Sequence, residues 1–114
     1  MRHNESKIQQ QCVKWMRYQH ADKICFAIPN GGKRNKVEAS IMSGEGVLSG
    51  VADMFLMHAN NEYHGLFIEM KTPDGKQTDM QRVFEANAML NGYKYAVCRS
   101  LDEFMNVVNE YLKG

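Results

Sequence analysis

Residues 50–71 constrain this chain more than any other stretch. Two short apolar runs, each of the length of a buried strand, enclose charged side chains that a protein interior normally rejects. The first run carries Gly50-Val51-Ala52-Asp53 and the second Ile68-Glu69-Met70-Lys71. Side chains alternate along a strand, so Leu66, Ile68 and Met70 share one face while Phe67, Glu69 and Lys71 share the other. Between the runs lies His58-Ala59-Asn60-Asn61-Glu62-Tyr63-His64-Gly65, a polar segment suited to a hairpin connection. A hairpin sets Asp53 beside Glu69.

Two carboxylates held together in a partly dry site repel each other and take up protons unless a cation neutralises them. A divalent metal is the natural answer. With oxygen ligands and no Cys or His at ligand spacing nearby, a hard ion such as Mg²⁺ or Mn²⁺ is favoured over zinc. Lys71 is then placed to orient an attacking water or to offset charge gathering on a phosphate in the transition state. The pattern reads as a phosphodiester-cleaving site.

The flanking segments supply a scaffold for such a pair of strands. Residues 5–20 carry Ile8, Cys12, Trp15 and Met16 at helical spacing, with Asn4 or Ser6 as the cap and Glu5 in the first turn, where the helix dipole alone favours a carboxylate. The apolar run 24–28 ends at Pro29 and reads as a strand. Asn30-Gly31-Gly32 is a turn whose amides can meet phosphate oxygens, and Lys33, Arg34 and Lys36 follow at once. Three cations in four residues are often only a solvated loop, but beside a candidate metal site phosphate binding, and so DNA contact by Asn30, Gly31, Gly32, Lys33, Arg34 and Lys36, is the favoured reading. Residues 37–43 form two helical turns with Val37 and Ile41 expected inward, and Gly50 allows close backbone approach just before Asp53.

Beyond Lys71, residues 72–76 form an exposed turn whose flexibility and charge suit a loop over a substrate. Thr78-Asp79-Met80-Gln81 opens a helix as a capping box, which alone accounts for Gln81. That helix ends at Gly92, a strand follows over 93–98, and Ser100-Leu101-Asp102-Glu103 caps a last helix. The inward positions of this helix are Leu101, Phe104, Val107, Val108, Tyr111 and Leu112. The order is helix, strand, helix, strand, strand, helix, strand, helix, an α/β chain with a mixed central sheet flanked by helices.

Composition narrows the function classes. At 114 residues the chain is expected to be a single domain over 1–114, with 44% hydrophobic and 24% charged residues and no run long enough to span a membrane. Its start lacks the apolar core of a signal peptide, which points to the cytoplasm. Cys12, Cys25 and Cys98 are odd in number and set among apolar residues, so they read as small buried hydrophobes. A net charge of +1 excludes a generally basic nucleic-acid coat and leaves DNA contacts to local clusters. The four histidines read as surface residues, the nine methionines as core filler, and the scattered tyrosines offer no base-stacking platform.

Taken together, these residues resemble the PD-(D/E)xK nuclease superfamily, and within it the VRR-NUC domain. The likeness rests on Glu5 with Gln9, Pro29-Asn30-Gly31-Gly32, Gly50-Val51-Ala52-Asp53, Ile68-Glu69-Met70-Lys71, Gln81, and Gly92-Tyr93-Lys94-Tyr95-Ala96-Val97. Ala52 stands where the family usually has proline, which leaves the turn before Asp53 less rigid. The resemblance implies a restriction-endonuclease-like core in which Asp53, Glu69 and the main-chain carbonyl of Met70 ligate Mg²⁺ or Mn²⁺ and Lys71 is the catalytic lysine. It also implies active-site roles for Gln81 and Glu5. Stand-alone members of this kind occur in phages and bacteria and resemble Holliday-junction resolvases. The resemblance therefore implies a homodimer acting on four-way DNA junctions, in the bacterial host cell where the protein is phage-encoded. The alternatives are a flap or duplex DNA nuclease and a catalytically silent DNA-binding module on the same fold.

Overall fold

The computed structural model describes residues 2–29 and 35–114, with residues 2–4 described by their backbone alone. In chain order the elements are α1 (Arg2–Gln19), β1 (Cys25–Ala27), α2 (Lys36–Gly44), β2 (Met54–Leu56), β3 (Leu66–Met70), α3 (Asp79–Leu90), β4 (Lys94–Cys98) and α4 (Leu101–Lys113). This is the expected order. The strands form one sheet in the order β1-β2-β3-β4. β1/β2 and β2/β3 are antiparallel, and β3/β4 is parallel, with α3 as the crossover that a parallel pair requires.

The hairpin joins Met54 to Ile68 and Leu56 to Leu66, so even-numbered residues of both strands face the same way. Met54, Leu56, Leu66, Ile68 and Met70 are buried against Cys12 and Met16 of α1 and Phe104, Val108 and Tyr111 of α4. Ile8, Trp15, Leu101, Val107 and Leu112 complete this layer from its rim. Each large side chain buried here contributes roughly 1.5–3 kcal/mol, so this layer carries the fold and fixes the position of β3. All three cysteines are free, and burial pushes the Cys12 and Cys98 thiols up to about 12 and that of Cys25 to about 11.

The opposite sheet face is aromatic. Phe26, Phe55 and Phe67 pair across β1, β2 and β3, with ring centroids 5.9 Å and 4.6 Å apart, and Phe84 of α3 stands edge-on to Phe67 at 5.0 Å. Tyr93 and Tyr95 join this group. The tyrosines are thus not all scattered, because strand pairing gathers residues that lie far apart in sequence.

Several local expectations change. α1 begins at Arg2, ahead of both residues expected to cap it, and the Ser6 hydroxyl instead accepts from Gln10 Nε2 at 3.1 Å. Asn35 rather than Val37 governs the start of α2: its side chain accepts from Glu38 N at 2.7 Å while Glu38 Oε1 accepts from Asn35 N at 3.4 Å. Val37 and Ile41 do not point inward. They are 68% and 56% exposed, and α2 buries no residue. At α4 the Ser100 hydroxyl caps Glu103 N, but the Glu103 carboxylate turns to Arg99 N at 2.7 Å, one residue earlier than a reciprocal box requires. Among the described residues no helix is long and apolar enough to cross a membrane.

Candidate active site

β2 is only three residues long, so Asp53 stands at its mouth and not inside the ladder. Its carbonyl accepts from Ile28 N at 2.7 Å, which ties this point of the chain to the end of β1. Gly50, at φ +87°, makes the approach possible: a Cβ there would lie 2.5 Å from the Met80 carbonyl oxygen of α3. Beyond the last β2 pair, the amide of Met70 has no strand partner on that side. Asp53 Oδ2 accepts from it at 2.7 Å, and this fixes the carboxylate against the end of β3.

Glu69 lies on the other face of β3 from Ile68 and Met70, and its side chain is 3% exposed. Oε2 accepts from Gln81 Nε2 at 2.8 Å, and Lys71 Nζ stands 3.9 Å from the same oxygen, an ion pair too long to be a hydrogen bond. Oε1 is buried with no partner. Burial first, and the nearby Asp53 charge second, push the Glu69 carboxyl up to about 8, against the opposing pull of Lys71. Glu5 adds repulsion from α1.

Gln81 caps the helix and reaches Glu69 with the same side chain. Its Oε1 accepts from Thr78 N at 2.8 Å as half of a complete capping box, and its Nε2 holds Glu69. Further out, Gln77 Nε2 donates to Glu85 Oε1 at 3.0 Å and to Tyr95 Oη at 3.3 Å, steadying the start of α3. The 72–76 turn is tied down, contrary to the flexibility expected of it. Arg99 Nη1 donates to the carbonyls of Thr72, Pro73 and Gly75 at 2.8, 3.4 and 2.5 Å. Nothing local in the turn announces a clamp that comes from the end of β4.

Asp53, Glu69, Lys71 and Gln81 therefore meet at one place, with Met70 between them. Glu5 is half-buried on α1 and shares a groove of about 350 Å³ with Asp53. Asn30, Gly31, Gly32, Lys33 and Arg34 lie outside the described residues, and Lys36 opens α2 as an exposed side chain. Among the described residues no group of three or more His, Cys, Asp and Glu side chains could by itself hold a metal ion. The donors on hand are two carboxylates and main-chain oxygen. An orphaned buried oxygen beside a second carboxylate is chemistry that a hard divalent cation satisfies.

The VRR-NUC domain model matches residues 2–102. The chain belongs to the VRR-NUC family. Membership implies a nuclease with DNA as its partner. A solved structure described as a VRR_NUC domain protein superposes with a TM-score of 0.82 at 24% identity, over 96% of this chain and 88% of that one. At that identity the likeness establishes the fold, a four-stranded mixed sheet flanked by helices with a restriction-endonuclease-like core. No curated protein matches the chain by sequence.

Proposed function

We propose that this VRR-NUC domain, residues 1–114 acting as one unit, is a divalent-metal-dependent DNA endonuclease selective for branched DNA. Asp53, Glu69 and the main-chain carbonyl of Met70 would hold Mg²⁺ or Mn²⁺. The observation that carries this reading is Glu69: a buried carboxylate with one oxygen unpartnered, a second carboxylate beside it, and an ammonium 3.9 Å away. An apolar structural site has no use for that arrangement, and filling it with one carboxylate next to another raises its free energy.

When bound, the ion would neutralise the carboxylates and polarise the scissile phosphate. The remaining work falls to the chain. Gln81 holds the Glu69 carboxylate by one oxygen, and the Met70 amide holds Asp53, so both are oriented before substrate arrives. Lys71, 13% exposed beside Glu69, orients the attacking water and offsets charge on the non-bridging oxygens as the new P–O bond forms and the P–O3′ bond breaks, leaving a 5′-phosphate and a 3′-hydroxyl that takes up a proton. Glu5 acts as a further acidic group across the groove. Residues 30–34 and Lys36 contact the DNA backbone.

The family resemblance extends the proposal to a Holliday-junction resolvase working as a homodimer in the cytoplasm. Two paired cuts need two sites, and a two-fold dimer matches the junction's symmetry. The exposed Val37 and Ile41 of α2 supply apolar surface for the second copy to cover. The test is cleavage of a labelled four-way junction beside a matched duplex, with Mg²⁺, with Mn²⁺ and with chelator, running Lys71→Ala in parallel. Symmetric nicks in the junction alone, lost with chelator and in the variant, support the full proposal. Equal cutting of both substrates removes the junction claim, and no cutting with either metal removes the nuclease assignment of these residues.

A further inference from the structure

The groove that holds Glu5 and Asp53 at one end changes sign along its length. Its lining runs from Glu5 past Gln9 and Gln10 to Lys14 and Arg17, all on α1. A second hollow of about 90 Å³ shares Val13 and Arg17 with it and continues to Lys23, before the start of β1. The wall of the groove is thus one continuous helix face: acidic at the active-site end, amide in the middle and basic beyond.

Two of these cations, Lys14 and Arg17, form no ion pair within the described fold. The ion pairs among the described residues join Lys23 to Asp22, Lys71 to Glu69, Arg82 to Asp79 and Lys113 to Glu110, and leave Lys14 and Arg17 without a carboxylate. Arg17 in the last turn complements the helix dipole, a contribution of about 0.3–1 kcal/mol. That account does not reach Lys14 in the middle of α1. Both side chains are exposed, and neither belongs to the apolar stripe that packs α1 on the sheet.

We propose that this face of α1 is a phosphate track: Gln10, Lys14 and Arg17 bind the sugar-phosphate backbone of the DNA arm that leaves the active site along the groove. The inference rests on the nuclease reading above and adds to it the direction of one arm. A helix rises about 1.5 Å per residue, so Arg17 lies about 18 Å along the axis from Glu5, a span of about five base pairs of duplex. Gln10 and Lys14, one turn apart, fall between. The amides donate without adding charge near the carboxylates, and the cations stand far enough away to leave the acidic end free for a metal. The sign change therefore suits a substrate whose charge repeats along its whole length, while a small anion would need only the basic end.

The test uses the full chain with Lys14→Gln/Arg17→Gln, with Lys14→Arg/Arg17→Lys as the charge-preserving variant, and with Lys7→Gln, an α1 lysine outside the groove, as control. Binding is read first, by fluorescence anisotropy on a labelled junction in chelator across a salt series. The neutral pair is expected to weaken binding several-fold at low salt and to lower the slope of log K against log salt by about two for each protomer bound, while the charge-preserving pair and Lys7→Gln leave both near wild type. Cleavage then gives position. With a full-length substrate the neutral pair raises KM and leaves kcat nearly unchanged, and trimming the arms that follow the groove to about three base pairs removes that difference while trimming the remaining arms does not. A slope and KM equal to wild type overturn the track, as does a defect that is insensitive to both trims. A slope change in a protein that never cuts upholds the track and overturns the nuclease reading instead. No binding by wild type overturns both.

Discussion

Glu69→Gln separates what the candidate site does for the fold from what it does for chemistry. The folded chain holds the Glu69 carboxyl at about 8 against an ordinary value of 4.5. Between those two values the folded state keeps a proton that the unfolded state releases, so the contribution of Glu69 to stability falls as pH rises through that window and is flat above it. At pH 7, and about 1.4 kcal/mol per pH unit, the metal-free protein is less stable by about 3 kcal/mol than one with a neutral group of the same shape. At pH 5 the same arithmetic leaves under about 1 kcal/mol. Glutamine is that neutral group. With its oxygen turned to Gln81 Nε2 it keeps the existing bond, and its amide hydrogens can meet the Asp53 carboxylate. The variant is expected to melt about 12 °C above wild type at pH 7 in chelator, on a scale of about 4 °C per kcal/mol for a chain of this size, and only slightly above it at pH 5. Adding Mg²⁺ or Mn²⁺ at a hundredfold excess over Kd should raise wild type by about 2.7 kcal/mol and leave the variant unmoved. Thermal or urea unfolding at both pH values, with and without metal, gives every number. A variant less stable than wild type at pH 7, or a gain of equal size at pH 5 and pH 8, refutes the claim that burial beside Asp53 governs Glu69.

Other side chains give sharper local tests. Gln81→Ala removes the reciprocal half of the α3 capping box and the bond to Glu69 together, and is expected to cost about 1–2 kcal/mol in urea unfolding. In the Glu69→Gln background that loss should change by about 1 kcal/mol, and strict additivity would show that the two side chains do not communicate. Arg99→Ala withdraws the donor that three carbonyls of the 72–76 turn share, so limited proteolysis should nick that turn faster while α3 stays protected. A digestion pattern unchanged from wild type would mean the clamp does not hold the turn. Ile41→Glu places a charge on the exposed apolar face of α2, and sedimentation should show a dimer turned to monomer with little change in melting temperature. A wild-type protein that sediments as a monomer removes the dimer.

Much of this fold was readable because its strongest signals are local and periodic. The period-two alternation in 66–71 and the polar segment 58–65 just before it point to the hairpin, and the hairpin brings Asp53 next to β3. Capping chemistry likewise fixed the start of α3 from Thr78 and Gln81 alone. What escaped depends on partners distant in sequence. Val37 and Ile41 announce an amphipathic helix but not what covers it, and the described chain covers neither. The Arg99 clamp spans more than twenty residues and leaves no mark in the turn it holds. The aromatic row became visible only once register set Phe26 opposite Phe55 and Phe55 opposite Phe67. Lys14 and Arg17 carry no signal of their own in the sequence, and only the groove sets them on one wall with Glu5 and near Asp53.

The site's position follows from where the sheet stops. β2 ends its pairing at Met54, two residues short of what β3 offers, and the unpaired Met70 amide is taken by a side-chain carboxylate in place of a main-chain carbonyl. A longer β2 would satisfy that amide with backbone and send the Asp53 side chain elsewhere. On the neighbouring face, Glu69 remains inside the sheet because β3 is held by the apolar layer on its other side and cannot shift to expose it. Stability built by Met54, Ile68, Phe104 and their neighbours thus offsets the cost of holding Glu69 buried beside Asp53. A change that relaxed this cost, whether Glu69→Gln or a slip of β3 toward solvent, would strengthen or loosen the fold at the direct expense of the two-carboxylate arrangement.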